Sequence, residues 1–208
     1  QLSGVLQQTL DGRGQIVLVA GEPGIGKTRL LEELAGLATA RGARALVGCC
    51  YEMEQNMAYA PIVEALRSLL AAMPAGPPPC PPARLAAVAE LLPEVRQKWP
   101  DLPAYQPLPP EAERTRLLTS LAQIMRLCVE GEPLVLLLDD LQWADPSSLQ
   151  LVHYLARQGE EQPLLLAGAY RSTHVIHGHA LIALRQRLAR QNRVLELPLA
   201  AFHEGDVV

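Results

Sequence analysis

The stretch from Gln15 to Thr28, QIVLVAGEPGIGKT, constrains the fold of this chain more than any other. It opens with the apolar run Ile16 to Val19, which is typical of a buried strand. A glycine-rich loop with the pattern G-x-x-x-x-G-K-T follows. Apolar residues then recur at helical spacing, at Leu30, Leu31, Leu34, Leu37 and Ala38. The sequence therefore predicts a strand, a tight loop and a helix in succession, which is the context that this loop pattern requires.

The residue types of the loop suit the binding of phosphate groups. Glycines let the chain curl so that backbone N–H groups converge on phosphate oxygens, and the N-terminus of the next helix supplies further N–H groups. We expect Lys27 to contact the β and γ phosphates of a nucleotide, and the Thr28 hydroxyl to be a ligand of Mg²⁺. The nucleotide-binding residues predicted in this loop are Gly21, Glu22, Pro23, Gly24, Ile25, Gly26, Lys27, Thr28 and Arg29.

Apolar runs and helical stripes alternate along the rest of the chain. Further strands are predicted at 43–50, 134–138, 163–170 and 193–197. Helices are predicted at 1–10, 61–73, 83–92, 111–130 and 180–190. Another helix is predicted to start at Asp145-Pro146, with Asp145 as its N-cap. The alternation predicts an α/β fold with a parallel sheet of about five strands sandwiched by helices. Together with the loop pattern, this predicts a P-loop NTPase. Twelve of the 18 prolines lie between residues 74 and 110, which predicts a proline-rich insertion within this domain.

Three charged residues stand at the carboxyl ends of predicted strands, where ligands bind in such sheets. Asp139 and Asp140 follow the run at 134–138, and Arg171 follows the run at 163–170. We expect Asp139 to hold Mg²⁺ and Asp140 to orient or deprotonate the attacking water. Arg171 is expected to sense the γ-phosphate, so the predicted catalytic residues are Asp140, Lys27 and Arg171. The structural alternatives are a capping or solvated turn for the two acids and a surface ion pair for Arg171.

Charge and composition exclude several other classes of function. The net charge is −4 and there is no polybasic run, which argues against nucleic-acid or anionic-membrane binding by this segment. The 208 residues contain neither a signal-peptide pattern nor an apolar run long enough to span a bilayer. Cys49, Cys50, Cys80 and Cys128 lack C-x-x-C spacing, which favours reduced thiols in a cytoplasmic protein. The chain begins without Met, and we expect it to be part of a longer polypeptide.

Two further patterns bear on the ligand. A guanine-specific N-K-x-D motif is missing, because Asn56 and Asn192 are the only asparagines and neither has the right neighbours. Adenine is therefore the expected base. A cluster with the pattern H-x-x-H-x-H, at His174, His177 and His179, lacks supporting cysteine or acid spacing, so we do not expect a metal site there.

Four segments together resemble the STAND-type, AAA-related ATPase domain of large LuxR-type and MalT-like bacterial transcriptional regulators. Similar domains are fused to nucleotide cyclases and protein kinases. The segments are GEPGIGKTRLLEEL, GCCYEMEQNMAYAPIVEALR, LVLLLDDLQWADPSSLQLVHYLA and LLLAGAYR. The resemblance implies an ATPase core over 1–198, with Pro198 near the nucleotide at the junction with a helical domain. It implies that 199–208 start that truncated domain. The family's N-terminal G-R-E segment, which helps to hold adenine, is not in this chain.

The resemblance implies a regulatory switch that binds ATP or ADP with Mg²⁺ and hydrolyses ATP slowly. Its partners would be the nucleotide and the flanking domains of a larger signalling or transcription-regulator protein, and DNA binding would lie in another domain. An oligomer in the ATP state is compatible with the resemblance. Three alternatives stay open. One is an AAA+ machine for remodelling or loading, which expects an arginine finger from a neighbouring subunit. The others are a P-loop phosphotransferase with an arginine-rich lid and a nucleotide-binding scaffold that does not hydrolyse.

Overall fold

A computed structural model of the chain describes residues 1–73, 76–78, 80–127, 131–158, 162–175, 179–190 and 194–200. Within these ranges the strands are β1 Gln15–Gly21, β2 Arg44–Cys49, β3 Leu134–Asp139, β4 Leu164–Arg171 and β5 Leu195–Pro198. The helices are α1 Leu2–Leu10, α2 Lys27–Ala40, α3 Ala60–Ala72, α4 Pro82–Val88, α5 Glu94–Lys98, α6 Pro110–Leu127, α7 Pro146–Gln158 and α8 Ala180–Arg190. Short 3-10 turns lie at Glu52–Glu54, Leu141–Trp143 and Ser172–His174.

The described strands form one parallel sheet in the order β2-β3-β4-β1-β5. The register sets Gly21 beside Arg171 on the neighbouring strand, and Cys49 beside Asp139. Strands β1, β3 and β4 therefore end at the same edge of the sheet. They lead into the glycine-rich loop, the two acids and the arginine, respectively. The predicted α/β fold with about five parallel strands is confirmed.

Helices cover both faces of the sheet, because successive strand residues point to opposite sides. Ile16 and Leu18 belong to the core cluster that α3, α6, α7 and α8 complete. Val17 and Val19 belong to the opposite cluster, which contains side chains of α1 and α2. The inner strand β3 is buried along its whole length. This double burial explains why the strands appear in the sequence as continuous apolar runs rather than as alternating ones.

Helix α3 lies close to strand β2 because Gly48 has no side chain. A Cβ atom added at Gly48 would lie 2.0 Å from the carbonyl oxygen of Pro61. A clash with a main-chain atom cannot be relieved by a change of rotamer. Gly48 is therefore required for the close approach of strand and helix.

The proline-rich segment packs on the domain through its own helices. Leu85 and Val95 are buried in the same cluster as the sheet residues. The indole of Trp99 donates a hydrogen bond to the carbonyl of Gly76 at 2.9 Å. Helix α5 was not predicted, because five residues are too few for a helical period to stand out. Helix α4 is shorter than predicted, ending at Val88.

Some predicted features lie outside the described residues. They include Cys128, the start of the last predicted strand at Arg193, and residues 201–208. Among the described residues no helix is both long and apolar enough to cross a bilayer.

Candidate nucleotide-binding site

The loop between β1 and α2 uses its glycines for two different physical reasons. Gly24 and Gly26 have φ angles of 77° and 97°, in the left-handed region that glycine adopts without strain. An added Cβ would meet nothing within 4 Å at either position, so conformation and not crowding favours glycine there. At Gly21, by contrast, an added Cβ would lie 2.9 Å from Cγ2 of Ile25 and 3.3 Å from Leu199. Crowding by Ile25 and Leu199 therefore disfavours a side chain at the start of the loop.

Lys27 is buried beneath the loop that precedes it. Its Nζ donates hydrogen bonds to the carbonyl of Gly21 at 3.1 Å and to that of Glu22 at 2.8 Å. Burial lowers the pKa of the Lys27 ammonium below its ordinary value, and the positive charge of Arg171 lowers it further. The carboxylates of Asp140 and Asp139 act in the opposite direction. The site thus holds a partly desolvated cation, which an anionic ligand would stabilise.

Thr28 and Asp139 join the start of α2 to the end of β3. The Thr28 hydroxyl donates a hydrogen bond of 2.5 Å to Oδ2 of Asp139. The other carboxylate oxygen, Oδ1, accepts a bond of 2.8 Å from the backbone N–H of Asp140. Asp139 is only 7% exposed, so this pair of oxygen groups is fixed against the loop. Thr28 and Asp139 are the two residues for which the sequence predicts Mg²⁺ binding, and the fold brings them together.

Asp140 and Arg171 form an ion pair across β3 and β4. Nε of Arg171 lies 3.3 Å from Oδ1 of Asp140, and Nη2 lies 3.4 Å from Oδ2. The side chains are 34% and 26% exposed, so solvent reaches both. Asp140 has φ 51° and ψ 43°, a left-handed conformation that is uncommon for a residue other than glycine. The sharp turn after β3 therefore directs the predicted base towards the predicted sensor.

Gln142 links the same two residues, and sequence reasoning missed it. Its side-chain Nε2 donates a 2.7 Å hydrogen bond to Oδ1 of Asp140, while its Oε1 accepts a 2.9 Å bond from the backbone N–H of Arg171. The residue is 2% exposed. A polar residue two positions after the second acid was the available signal, but nothing in the sequence indicated that it would be buried.

His179 supports Gln142 from the start of α8. Its Nδ1 accepts a hydrogen bond from the backbone N–H of Leu181 at 3.1 Å, and its Nε2 lies 2.9 Å from the carbonyl oxygen of Gln142. The proton must therefore reside on Nε2, which donates to that carbonyl. Within the described residues no group of three or more His, Cys, Asp or Glu side chains is placed to hold a metal ion. His177 lies outside them.

The turn that carries Asp140 and Gln142 is seated on a glycine of β4. An added Cβ at Gly168 would lie 2.2 Å from Cδ1 of Leu141 and 3.3 Å from Cδ2 of Leu18. Leu141 is 1% exposed and fills the space above the strand. Because Gly168 is small, Leu141 can pack directly on β4. This contact fixes the position of the turn, and with it the position of Asp140 at the edge of the sheet.

Asp145 ties the next helix to the loop after β2. Its Oδ1 accepts hydrogen bonds from the backbone N–H groups of Ser147 and Ser148, as the sequence predicts for an N-cap before Pro146. The same oxygen accepts a bond from the backbone N–H of Tyr59 at 3.1 Å. One buried carboxylate thus satisfies main-chain donors in the first turn of α7 and in the loop after β2.

A cavity of about 290 Å³ opens between these groups. Its lining residues are Pro23, Gly24, Gly26, Lys27, Thr28, Arg29, Asp140 and Arg171. Arg29 reaches it from α2, where its guanidinium is exposed and pairs with Glu33 at 2.5 Å. Pro198 lies in β5 beside Ala20, one residue before the loop begins. The structure thus brings the loop, Asp140 and Arg171 together around one cavity.

A larger cavity, of about 550 Å³, lies at the opposite end of the sheet. Leu134 and Leu164, the first residues of β3 and β4, line it together with Arg84 and Arg126. Ligands of open parallel sheets bind at the carboxyl ends of the strands, not at the amino ends. The smaller cavity is therefore the candidate site.

Comparison with known proteins assigns the chain to a protein family. The family model described as AAA ATPase domain matches residues 1–167. No curated protein matches the chain. A chain in the structure of Drosophila ORC bound to AT-rich DNA and Cdc6 is 11% identical with a TM-score of 0.45, over 100% of this chain and 62% of that one. A chain in the structure of AMPPCP-bound DnaA from Aquifex aeolicus is 15% identical with a TM-score of 0.38, over 94% and 44%. This chain thus spans less than two thirds of either.

Proposed function

The chain belongs to the AAA ATPase domain family, and from this premise we propose that it is an ATP-dependent regulatory switch within a larger signalling or transcription-regulator protein. It binds ATP or ADP with Mg²⁺ at the loop 21–28 and hydrolyses ATP slowly. The observation that carries the proposal is the hydrogen bond between Thr28 and Asp139, which joins the glycine-rich loop and its helix to the acid at the end of β3. The STAND-type character inferred from the sequence belongs to this proposal.

The residues present fit a magnesium ion. The Thr28 hydroxyl and the Asp139 carboxylate are oxygen donors of the kind that Mg²⁺ prefers, and they already lie within hydrogen-bond distance of each other. Once bound, the ion would neutralise charge on the phosphate oxygens. Lys27 would hold the β and γ phosphates, and the backbone of 21–26 would enclose them.

Slow hydrolysis follows from the state of the proposed base. Both oxygens of Asp140 accept hydrogen bonds, from Gln142 and from Arg171. While Arg171 holds this carboxylate, fewer of its lone pairs are available to accept a proton from water. This paired state fits a switch that remains in one nucleotide state better than a machine that hydrolyses ATP continuously.

The proposed switch would act through the end of β5. The backbone N–H of Leu199 donates a hydrogen bond of 2.7 Å to the carbonyl of Ala20, and Leu199 packs beside Gly21. A shift of the loop on nucleotide binding would therefore reach Pro198 and Leu199 directly. These residues stand where the resemblance to STAND-type domains places the junction with a helical domain.

Thermal unfolding tests the binding half of the proposal. Mg²⁺ with ATP or ADP should raise the melting temperature, because a ligand at about 100 times its Kd stabilises the native state by about 2.7 kcal/mol. Lys27→Ala should remove most of this shift. GTP should stabilise less than ATP, and equal shifts would contradict the assignment of adenine.

Lys98→Ala is the matched control. Nζ of Lys98 also donates to two backbone carbonyls, those of Leu70 and Met73, but it lies in the proline-rich segment. This variant should melt lower than the parent and keep the full nucleotide-dependent shift. A Lys27 variant that shifts as much as the parent would show that the loop is not the binding site.

Kinetics then separate the switch from its alternatives. We expect single-turnover hydrolysis to be measurable and steady-state turnover to be slow. Rapid steady-state turnover that rises with protein concentration would favour an AAA+ machine completed by a neighbouring subunit. Binding without any hydrolysis would favour a scaffold.

A further inference from the structure

We propose that Gln142 is the positioning residue that keeps Asp140 in place while Arg171 exchanges its partner, a role that rests on the proposed hydrolysis of ATP. The amide of Gln142 donates to Asp140 at 2.7 Å and accepts from the backbone N–H of Arg171 at 2.9 Å. One planar group therefore joins the proposed base to the strand that carries the proposed sensor.

The chemistry of its neighbours fixes the orientation of this amide. An ionised carboxylate can only accept hydrogen bonds and a backbone N–H can only donate one. Rotation of the Gln142 amide by 180° would place its oxygen against Asp140 and its NH₂ group against the N–H of Arg171, so both bonds would be lost. The His179 side chain donates to the backbone carbonyl of the same residue at 2.9 Å. Gln142 is thus held through both its main chain and its side chain.

The bonds to Asp140 differ in length, which indicates which partner can leave. Both contacts from Arg171 are long, at 3.3 and 3.4 Å, and the pair is partly open to solvent. The bond from buried Gln142 is 2.7 Å. When Arg171 turns to a γ-phosphate, Oδ1 of Asp140 keeps the Gln142 amide and Oδ2 becomes free to accept a proton from water. Without that amide, the Asp140 side chain is free to rotate and follow the guanidinium.

Gln142→Glu isolates the proposed role. The substitution keeps an oxygen for the N–H of Arg171 but replaces the donor to Asp140 with a second carboxylate. The kcat for ATP should fall by roughly tenfold or more, the range expected for losing a hydrogen bond to a charged group. The KM should change less than kcat. Gln142→Leu, which introduces no charge, should show the same division between kcat and KM and serves as the second variant if Gln142→Glu does not fold.

A double-mutant cycle distinguishes positioning from a general structural effect. In the Asp140→Asn background, either substitution at Gln142 should cause almost no further loss of kcat, because its effect passes through Asp140. The matched control is Gln7→Glu, since Nε2 of Gln7 also donates to an aspartate, Asp11, at 3.0 Å on the exposed side of α1. This control should leave kcat unchanged.

The outcomes are separable from those of the proposed function. The inference is overturned if Gln142→Glu hydrolyses ATP as fast as the parent, or if it slows hydrolysis by the same factor with Asp140 present and absent. It is also overturned if the parent binds ATP but shows no turnover above the Lys27→Ala background, because no base then exists to be positioned. A parent whose melting temperature does not respond to ATP would overturn the proposed function as well.

Discussion

Replacing Arg171 with alanine should weaken the binding of ATP much more than that of ADP. The arginine lies beside Gly21 in the sheet register, at the start of the glycine-rich loop. Its planar guanidinium can bond two oxygens of a γ-phosphate, and ADP has no such group. The proposed nucleotide-dependent switch depends on this difference between the two ligands.

The structure sets the magnitude, because Arg171 is already paired. A hydrogen bond to a charged phosphate is worth about 1.5–3 kcal/mol. The ion pair with Asp140 that Arg171 gives up is partly exposed, and such pairs are worth about 0.2–1 kcal/mol. The difference centres on about 1.6 kcal/mol, so the Kd for ATP should rise roughly fifteenfold. The Kd for ADP should hardly change.

Isothermal titration with a non-hydrolysable ATP analogue and with ADP measures both affinities in parent and variant. Arg67→Ala is the control, because Arg67 also forms an ion pair, with Glu94 at 2.7 Å, but on helices away from the loop. It should alter neither affinity. Equal losses for the two ligands in the Arg171 variant, or no loss for either, would refute the sensor role and leave Arg171 as a structural ion-pair residue.

Three further predictions concern the base, the sheet and a buried thiol. Asp140→Asn should keep ATP binding in a titration and show lower turnover in a phosphate-release assay, because the amide retains the shape but cannot accept the proton; unchanged turnover would point to a different base. Gly48→Ala should lower the free energy of unfolding by about 1–3 kcal/mol through its clash with Pro61, whereas Gly36→Ala, in open space on α2, should raise it by about 0.5–1 kcal/mol. Burial raises the pKa of the Cys80 thiol from 9.0 to about 11. The stability that the buried neutral thiol contributes is therefore complete below pH 9 and is lost as the pH rises towards 11. Urea titrations should show the free energy of unfolding fall over this pH range, and the fall should be smaller in Cys80→Ala.

The features that the sequence predicted well depend on local chemistry. The loop 21–28 has its own pattern, and the strands β3 and β4 are continuous apolar runs that differ from everything around them. Both acids and the arginine could be placed at strand ends because the end of an apolar run marks the edge of the sheet. Their meeting then followed from the parallel arrangement alone.

What could not be predicted depends on the geometry of the assembled fold. The left-handed conformation of Asp140 is a property of the turn on which it lies, and that turn is set by the fit of Leu141 over Gly168. The burial of Gln142 follows from this fit. Its two partners, one two residues before it and the other 29 residues after it, become neighbours only when β3 and β4 pair. No local pattern encodes such a distance.

The order of the strands has a consequence for how the protein should fold and open. Strand β1, which carries the loop, is separated from β3 by β4. The hydrogen bond between Thr28 and Asp139 therefore reaches across an intervening strand, and it joins residues that are 111 positions apart in the sequence. The candidate site is therefore complete only when β1, β3 and β4 have all assembled. Long-range closure of this kind is slow, because much of the chain must be ordered before the contact can form. Nucleotide should accordingly slow hydrogen exchange throughout these three strands together, rather than at the loop alone.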